Sequence, residues 1–155
     1  MSSEYTTPRF YQIQFKVDGT PRPQLRHRHG RGRVYDPSKK DKETFTLNCL
    51  QEVSVDDMIQ VDPESFAGPL IINLHFVMPI PKSTSKKRTA EILDWDTTHI
   101  KRPDTDNLIK FCLDAMNGVF WKDDCQVYSV LGTKTYGEDP RTEVNIHYEY
   151  PRPRQ

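Results

Sequence analysis

The chain has 155 residues, enough for one ordinary domain, and only 35% are apolar even with tyrosine counted. That predicts one modest core carrying long polar loops. Lys plus Arg and Asp plus Glu number 22 each, so the net charge is zero, which excludes a uniformly basic coat but not local patches. No stretch approaches the roughly 20 apolar residues of a membrane span, and Met1 to Arg9 carries no apolar core of a secretory signal. Cys49, Cys112 and Cys125 are an odd number without CxxC spacing. They read as reduced thiols in a cytoplasmic protein, not as a disulfide framework or zinc site. GxxxxGK, HExxH and GxSxG are all missing, so no nucleotide cofactor is expected.

A single α/β (α+β) domain over 1–155 is expected, with loose ends at 1–8 and 150–155. Tyr11, Ile13, Phe15 and Val17 alternate with polar residues, which predicts a strand. A long polar loop follows over 20–36. Asp36-Pro37 then predicts a helix start, with Asp as N-cap and Pro at the first helical position. That helix should run to about Gln60, burying Phe45, Cys49, Val53 and Ile59. Its acidic end opposes the helix dipole, so a break near 53–56 is expected. Leu70, Ile72, Leu74, Phe76 and Met78 alternate into a strand that Pro79 and Pro81 stop. A second polar loop, 82–102, has room for a short helix over 86–93. Thr105–Asn117 reads as a helix closed by Gly118. Its expected apolar side is Leu108, Ile109, Cys112, Leu113 and Met116. Two strands, 126–136 and 141–150, should close a mixed sheet with helices packed on it.

The charge is blocky. Residues 21–40 hold seven Lys or Arg and one acid, whereas 51–65 hold five acids and no base. Lys82, Lys86, Lys87 and Arg88 add a second basic run, and Lys101 and Arg102 a third. Taken alone, each run is an ordinary solvated face. Basic loops framing a set of carboxylates suit a polyanion, because neutralising phosphates releases counterions whatever the total charge.

The carboxylates are Asp104 and Asp106 at the predicted helix start, then Asp123 and Asp124 before the next strand. Packing of that helix on that strand is expected to bring Asp124 beside the first pair. Three or four converging carboxylates repel one another unless a cation is present. All-oxygen ligation suits Mg²⁺, with Mn²⁺ as a substitute. Lys110 lies one turn past Asp106. Plainer readings exist for each residue: Asp104 as an N-cap, Asp123-Asp124 as a turn, and Lys110 as an i,i+4 partner of Asp106 or Asp114. A calcium-loop reading fails, because Leu108 takes the fifth position and no glycine follows.

The ordered motif Pro103-Asp-x-Asp-Asn-x-x-Lys-x-x-x-Asp-Ala-x-Asn-Gly118, followed by Asp123-Asp-x-Gln-Val127, resembles the RusA family of Holliday junction resolvases. The basic loop 31–37, the Pro81–Lys87 segment, and Lys134 with 136–144 extend the likeness over about residues 10–148. The resemblance implies a compact α/β homodimer acting on branched DNA. It implies metal binding by Asp104, Asp106 and Asp124, with Asp123 beside them, and a catalytic Lys110. Asn107, Asp114, Gln126 and Lys134 would be supporting positions. Arg22, Arg26, Arg28, Arg31, Arg33, Lys86, Lys87, Arg88, Lys101 and Arg102 would contact backbone phosphates. The expected activity is Mg²⁺-dependent resolution of four-way junctions by paired nicks, in recombination and repair. The loop style points to a phage or prophage origin in a bacterial cell. A general flap nuclease on the same fold and a non-catalytic DNA-binding module are the competing readings.

Overall fold

The computed structural model describes residues 10–95 and 97–150. The predicted ends 1–8 and 151–155 lie outside that range. Tyr150 lies inside it and is no loose end: its ring packs edge-on to Phe66 at 5.4 Å. The elements are β1 (Phe10–Asp18), β2 (Arg28–Gly30), β3 (Arg33–Tyr35), α1 (Lys39–Glu52), α2 (Val55–Val61), β4 (Leu70–Pro79), α3 (Lys86–Asp94), α4 (Thr105–Met116), β5 (Val127–Gly137) and β6 (Arg141–Glu149). A 3-10 turn, Asp124–Gln126, precedes β5.

The architecture is mixed α+β. Four strands form one sheet in the order β1-β6-β4-β5. β6 runs antiparallel to both β1 and β4, and β5 runs parallel to β4. The alternation read from the sequence decides which face is buried. Ile13, Val17, Ile72, Leu74, Val144 and Ile146 point inward, with polar residues between them on the open face. Helix α4 covers the inner face with Leu108, Phe111, Cys112 and Met116, all buried. It settles closely on β5, where a side chain at Gly132 would meet Ile109 Cδ1 at 2.5 Å. Phe120 and Trp121 complete the core beneath the turn after α4.

Four expectations need correction. Ser38, not Asp36, is the N-cap of α1. Asp36 instead accepts from the Ser38 amide and from Gln24, so it is tied to the loop before the helix. Ile59 is exposed, because the break at Val53–Ser54 restarts the helix with a new phase as α2. Phe111 belongs to the buried side of α4, whereas Ile109 and Leu113 are only partly buried. The polar loop 20–36 contains the small hairpin β2–β3. Its two-residue turn, Arg31–Gly32, has both φ angles positive (48° and 73°), which matches strand twist. The predicted break in the long helix and the short helix α3 are both present.

Candidate active site

The start of α4 is fixed from two sides. Lys134 on β5 donates from Nζ to the carbonyls of Lys101 (2.8 Å) and Pro103 (2.6 Å). The amide of Gln24, in the basic loop, donates to the carbonyl of Asn107. Asp104 sits at the N-cap position, yet its side chain makes no capping bond. Its carboxylate is therefore not consumed by the helix, as a plain N-cap would be. Asp106 and Lys110 are exposed one turn apart on the same helix. Lys110 pairs with neither Asp106 nor Asp114.

The second acidic pair is built differently. Asp123 caps the 3-10 turn, accepting from the Cys125 amide at 2.9 Å. That bond holds its carboxyl below the ordinary carboxylate range. Gln126 staples the turn. Its Oε1 accepts from the amides of Lys122 and Asp123, and its Nε2 donates to the carbonyls of Phe66 and Gly68. Asp124 is half-buried, and its Oδ1 accepts from the indole N–H of the buried Trp121 at 2.8 Å. Trp121 is thus both a core residue and the group that orients Asp124. The signal in the sequence was its spacing of three from Asp124.

Within one chain the two pairs do not converge. Lys134, far along β5, grips the N-terminal end of α4, whereas Asp124 stands before the first residue of β5. Helix and strand therefore run in opposite senses. The 12 residues of α4 hold Asp104 and Asp124 at opposite ends of a rod about 18 Å long. Among the described residues, no three His, Cys, Asp or Glu side chains are grouped to hold an ion. The expected packing of helix on strand occurs, but the antiparallel sense carries Asp124 away from Asp104 and Asp106.

The basic residues are exposed. Arg22, Arg26, Arg28, Arg31 and Arg33 lie on or beside the hairpin, and Arg22 reaches Asp41 at 3.2 Å. Lys86, Lys87 and Arg88 crowd the first turn of α3. Cations there oppose the helix dipole, although Arg88 also pairs with Glu91 one turn on at 3.1 Å. Lys101 and Arg102 are exposed just before Asp104. Lys42 links the basic loop to α1 and α4 by pairing with Asp36 at 2.5 Å and Asp114 at 3.5 Å. Burial would raise the Asp36 carboxyl, but Lys42, the Ser38 amide and Gln24 outweigh it and hold it at about 2. His99 is buried against Tyr136, and burial together with Lys134 and Lys101 pushes its pKa down.

A model of the RusA endodeoxyribonuclease family matches residues 14–147. The chain belongs to this family. A relative from Bacillus subtilis (strain 168), the uncharacterized protein YqaN, is 33% identical over 143 residues, covering 86% of this chain and 94% of that protein. RusA proteins are endodeoxyribonucleases acting on branched DNA, so this chain is a nuclease by family. No helix among the described residues is long and apolar enough to cross a membrane.

Proposed function

We propose that the protein is a Mg²⁺-dependent homodimer that resolves four-way DNA junctions by paired nicks, in recombination and repair in the bacterial cytoplasm. The observation that carries this reading is the uncommitted carboxylate of Asp104, beside exposed Asp106 and Lys110 and flanked by Lys101 and Arg102. Asp104, Asp106 and Asp124 would hold the ion. Their oxygens are hard donors of the kind Mg²⁺ or Mn²⁺ takes, and Asp124 keeps one oxygen outside its bond to Trp121. The bound ion would supply an activated water and neutralise charge at the phosphate. Lys110 would stabilise the negative charge that develops there. The arginines of the hairpin and the cations of α3 would hold backbone phosphates.

The separation of the acids favours a shared site. Asp104 and Asp106 of one protomer would meet Asp124 of the partner subunit. β5 offers a surface for such a contact. It is an edge strand, and residues 97–99 cover its edge only from Lys134 onward. Tyr128, Val130 and Leu131 remain 59%, 36% and 58% exposed on the uncovered stretch. Two such edges meeting around a two-fold axis run in opposite directions. The beginning of one β5 would then approach the far end of the other, where its α4 starts.

The test is cleavage of a mobile four-way junction, a flap and a linear duplex, with Mg²⁺ and with a chelator. Metal-dependent, symmetric cutting of the junction above the other two supports the reading. Asp106→Asn should abolish cleavage and leave junction binding intact or stronger. A variant that still cuts would place the chemistry elsewhere.

A further inference from the structure

The two most exposed large apolar side chains among the described residues are Ile100 (90%) and Trp95 (81%). Both belong to the stretch between α3 and α4. The backbone at 97–99 is held to the protein. The Thr97 amide donates to the carbonyl of Ile92, the Tyr136 amide to that of Thr97, and the His99 amide to that of Lys134. Thr98 pairs with Thr135 as a single antiparallel bridge, and the His99 ring lies 4.7 Å from that of Tyr136. Alternate residues therefore point in opposite directions. His99 turns inward, while Ile100 projects into water.

Exposed apolar groups on a fixed backbone cost solvation without contributing to the core. Their neighbours indicate what would cover them. Lys101 and Arg102 follow Ile100 directly, both exposed, and Asp104 is two residues further on. Lys86, Lys87 and Arg88 lie at the other end of α3, about 14 Å of helix from Trp95. Asp94 and Asp96 flank Trp95 in the sequence, so phosphate contact falls to the cations on either side and not to Trp95's own neighbours. An exposed indole with cations on either side in the chain, on the segment that leads into α4, matches an unstacked nucleotide. Its base has a π face that stacks on an indole, and the phosphates on either side carry the charge. A continuous duplex keeps its bases stacked and offers no such face. The point of strand exchange in branched DNA does.

We propose that Trp95 is a stacking site for an unpaired or unstacked base at the branch point of the DNA. This rests on the branched-DNA reading above. It assigns to Trp95 a role in recognising structure, separate from the carboxylate chemistry. The second tryptophan, Trp121, is buried and cannot take this role.

The two tryptophans differ enough in exposure to make the test direct. Tryptophan fluorescence is followed while a four-way junction or a linear duplex of equal length is added to the Asp106→Asn protein with EDTA present. The junction should quench the emission and the duplex should leave it nearly unchanged. Trp95→Phe should remove most of the quenching, because the remaining Trp121 is inaccessible. Trp95→Ala should weaken junction binding roughly five- to a hundred-fold, the range for losing one stacked base. Its duplex affinity should not change. A Trp95→Ala protein that binds the junction like its parent, with no quenching in the parent, overturns the proposal. Loss of the dimer in Trp95→Ala, at unchanged junction affinity per dimer, overturns it too and assigns the patch to a second copy. If the parent itself binds junction and duplex equally, the branched-DNA reading fails, and the stacking site with it.

Discussion

Two inactive proteins should restore activity when mixed. Asp106→Asn removes one acid from the α4 end of the site, and Asp124→Asn removes the acid at the other end. Each homodimer then lacks a ligand in both of its sites. If each site takes Asp106 from one protomer and Asp124 from its partner, a mixed dimer has one site missing both acids and one site intact. Free exchange of protomers gives mixed dimers as half of the population, so about a quarter of all sites should be active. The premise is α4 itself: Asp106 lies in its first turn and Asp124 beyond its far end, so about 15 Å of helix separates them within a chain. No side-chain rotation closes that distance. The assay mixes the two variants, allows exchange, and measures nicking of a labelled junction in Mg²⁺. Nicks should appear in one strand per binding event and not in symmetric pairs. Activity that stays at the level of the separate variants, with exchange shown by a tagged protomer, would refute the shared site.

Further outcomes follow from individual contacts. Trp121→Phe keeps the aromatic ring in the core but removes the N–H that orients Asp124. The Mg²⁺ concentration for half-maximal cleavage should rise by about 10-fold or more, with junction affinity unchanged, in a metal titration of the nicking rate. Lys134→Met removes both bonds to the 101–103 backbone. It should lower kcat by at least about tenfold while leaving KM for the junction near its original value, since it displaces Asp104 and not the phosphate contacts. Asp36→Asn should cost about 2 kcal/mol at pH 7, because the carboxyl is held at about 2 against an ordinary 3.8. The folded value is the lower one, so this stability is complete above the unfolded value and is lost as pH falls through about 2. In urea titrations the gap between variant and parent should shrink to about half at pH 3; a gap that does not change with pH would show that Asp36 is not charge-paired.

Much of this was legible in the sequence for a simple reason. Strands such as β4 alternate apolar and polar residues, and alternation reports a half-buried strand without any knowledge of its neighbours. The start of α4 was equally plain, since Pro103-Asp104 and the apolar side of the following turns are local signals. What failed was non-local. The role of Asp36 depends on Gln24 and Lys42, which reach it from a loop and from the next helix. The hairpin in the basic loop turns on Arg31 at positive φ, a conformation that sequence alone would assign to Asn or Gly. The expected meeting of Asp124 with Asp104 assumed a direction for α4 against β5 that no local pattern specifies. Lys134 and Trp121 settle that direction, because each ties a strand-side residue to a different end of the helix.

The same direction lowers the electrostatic cost of folding for a single chain with these acids. Three carboxylates at one point repel strongly unless a cation lies among them. Had they converged within one protomer, folding itself would bear that repulsion. Held at opposite ends of α4, they impose no such cost on the single chain. On the shared-site reading the repulsion arises only when two protomers meet, so the dimer and the ion stabilise each other. Mg²⁺ should then tighten self-association, and Asp124→Asn should tighten it in the absence of metal by removing one charge from each site. The opposed blocks of charge in a neutral chain then serve distinct ends. The hairpin and α3 would face phosphate, and the acids around α4 would bind an ion that the second protomer helps to hold.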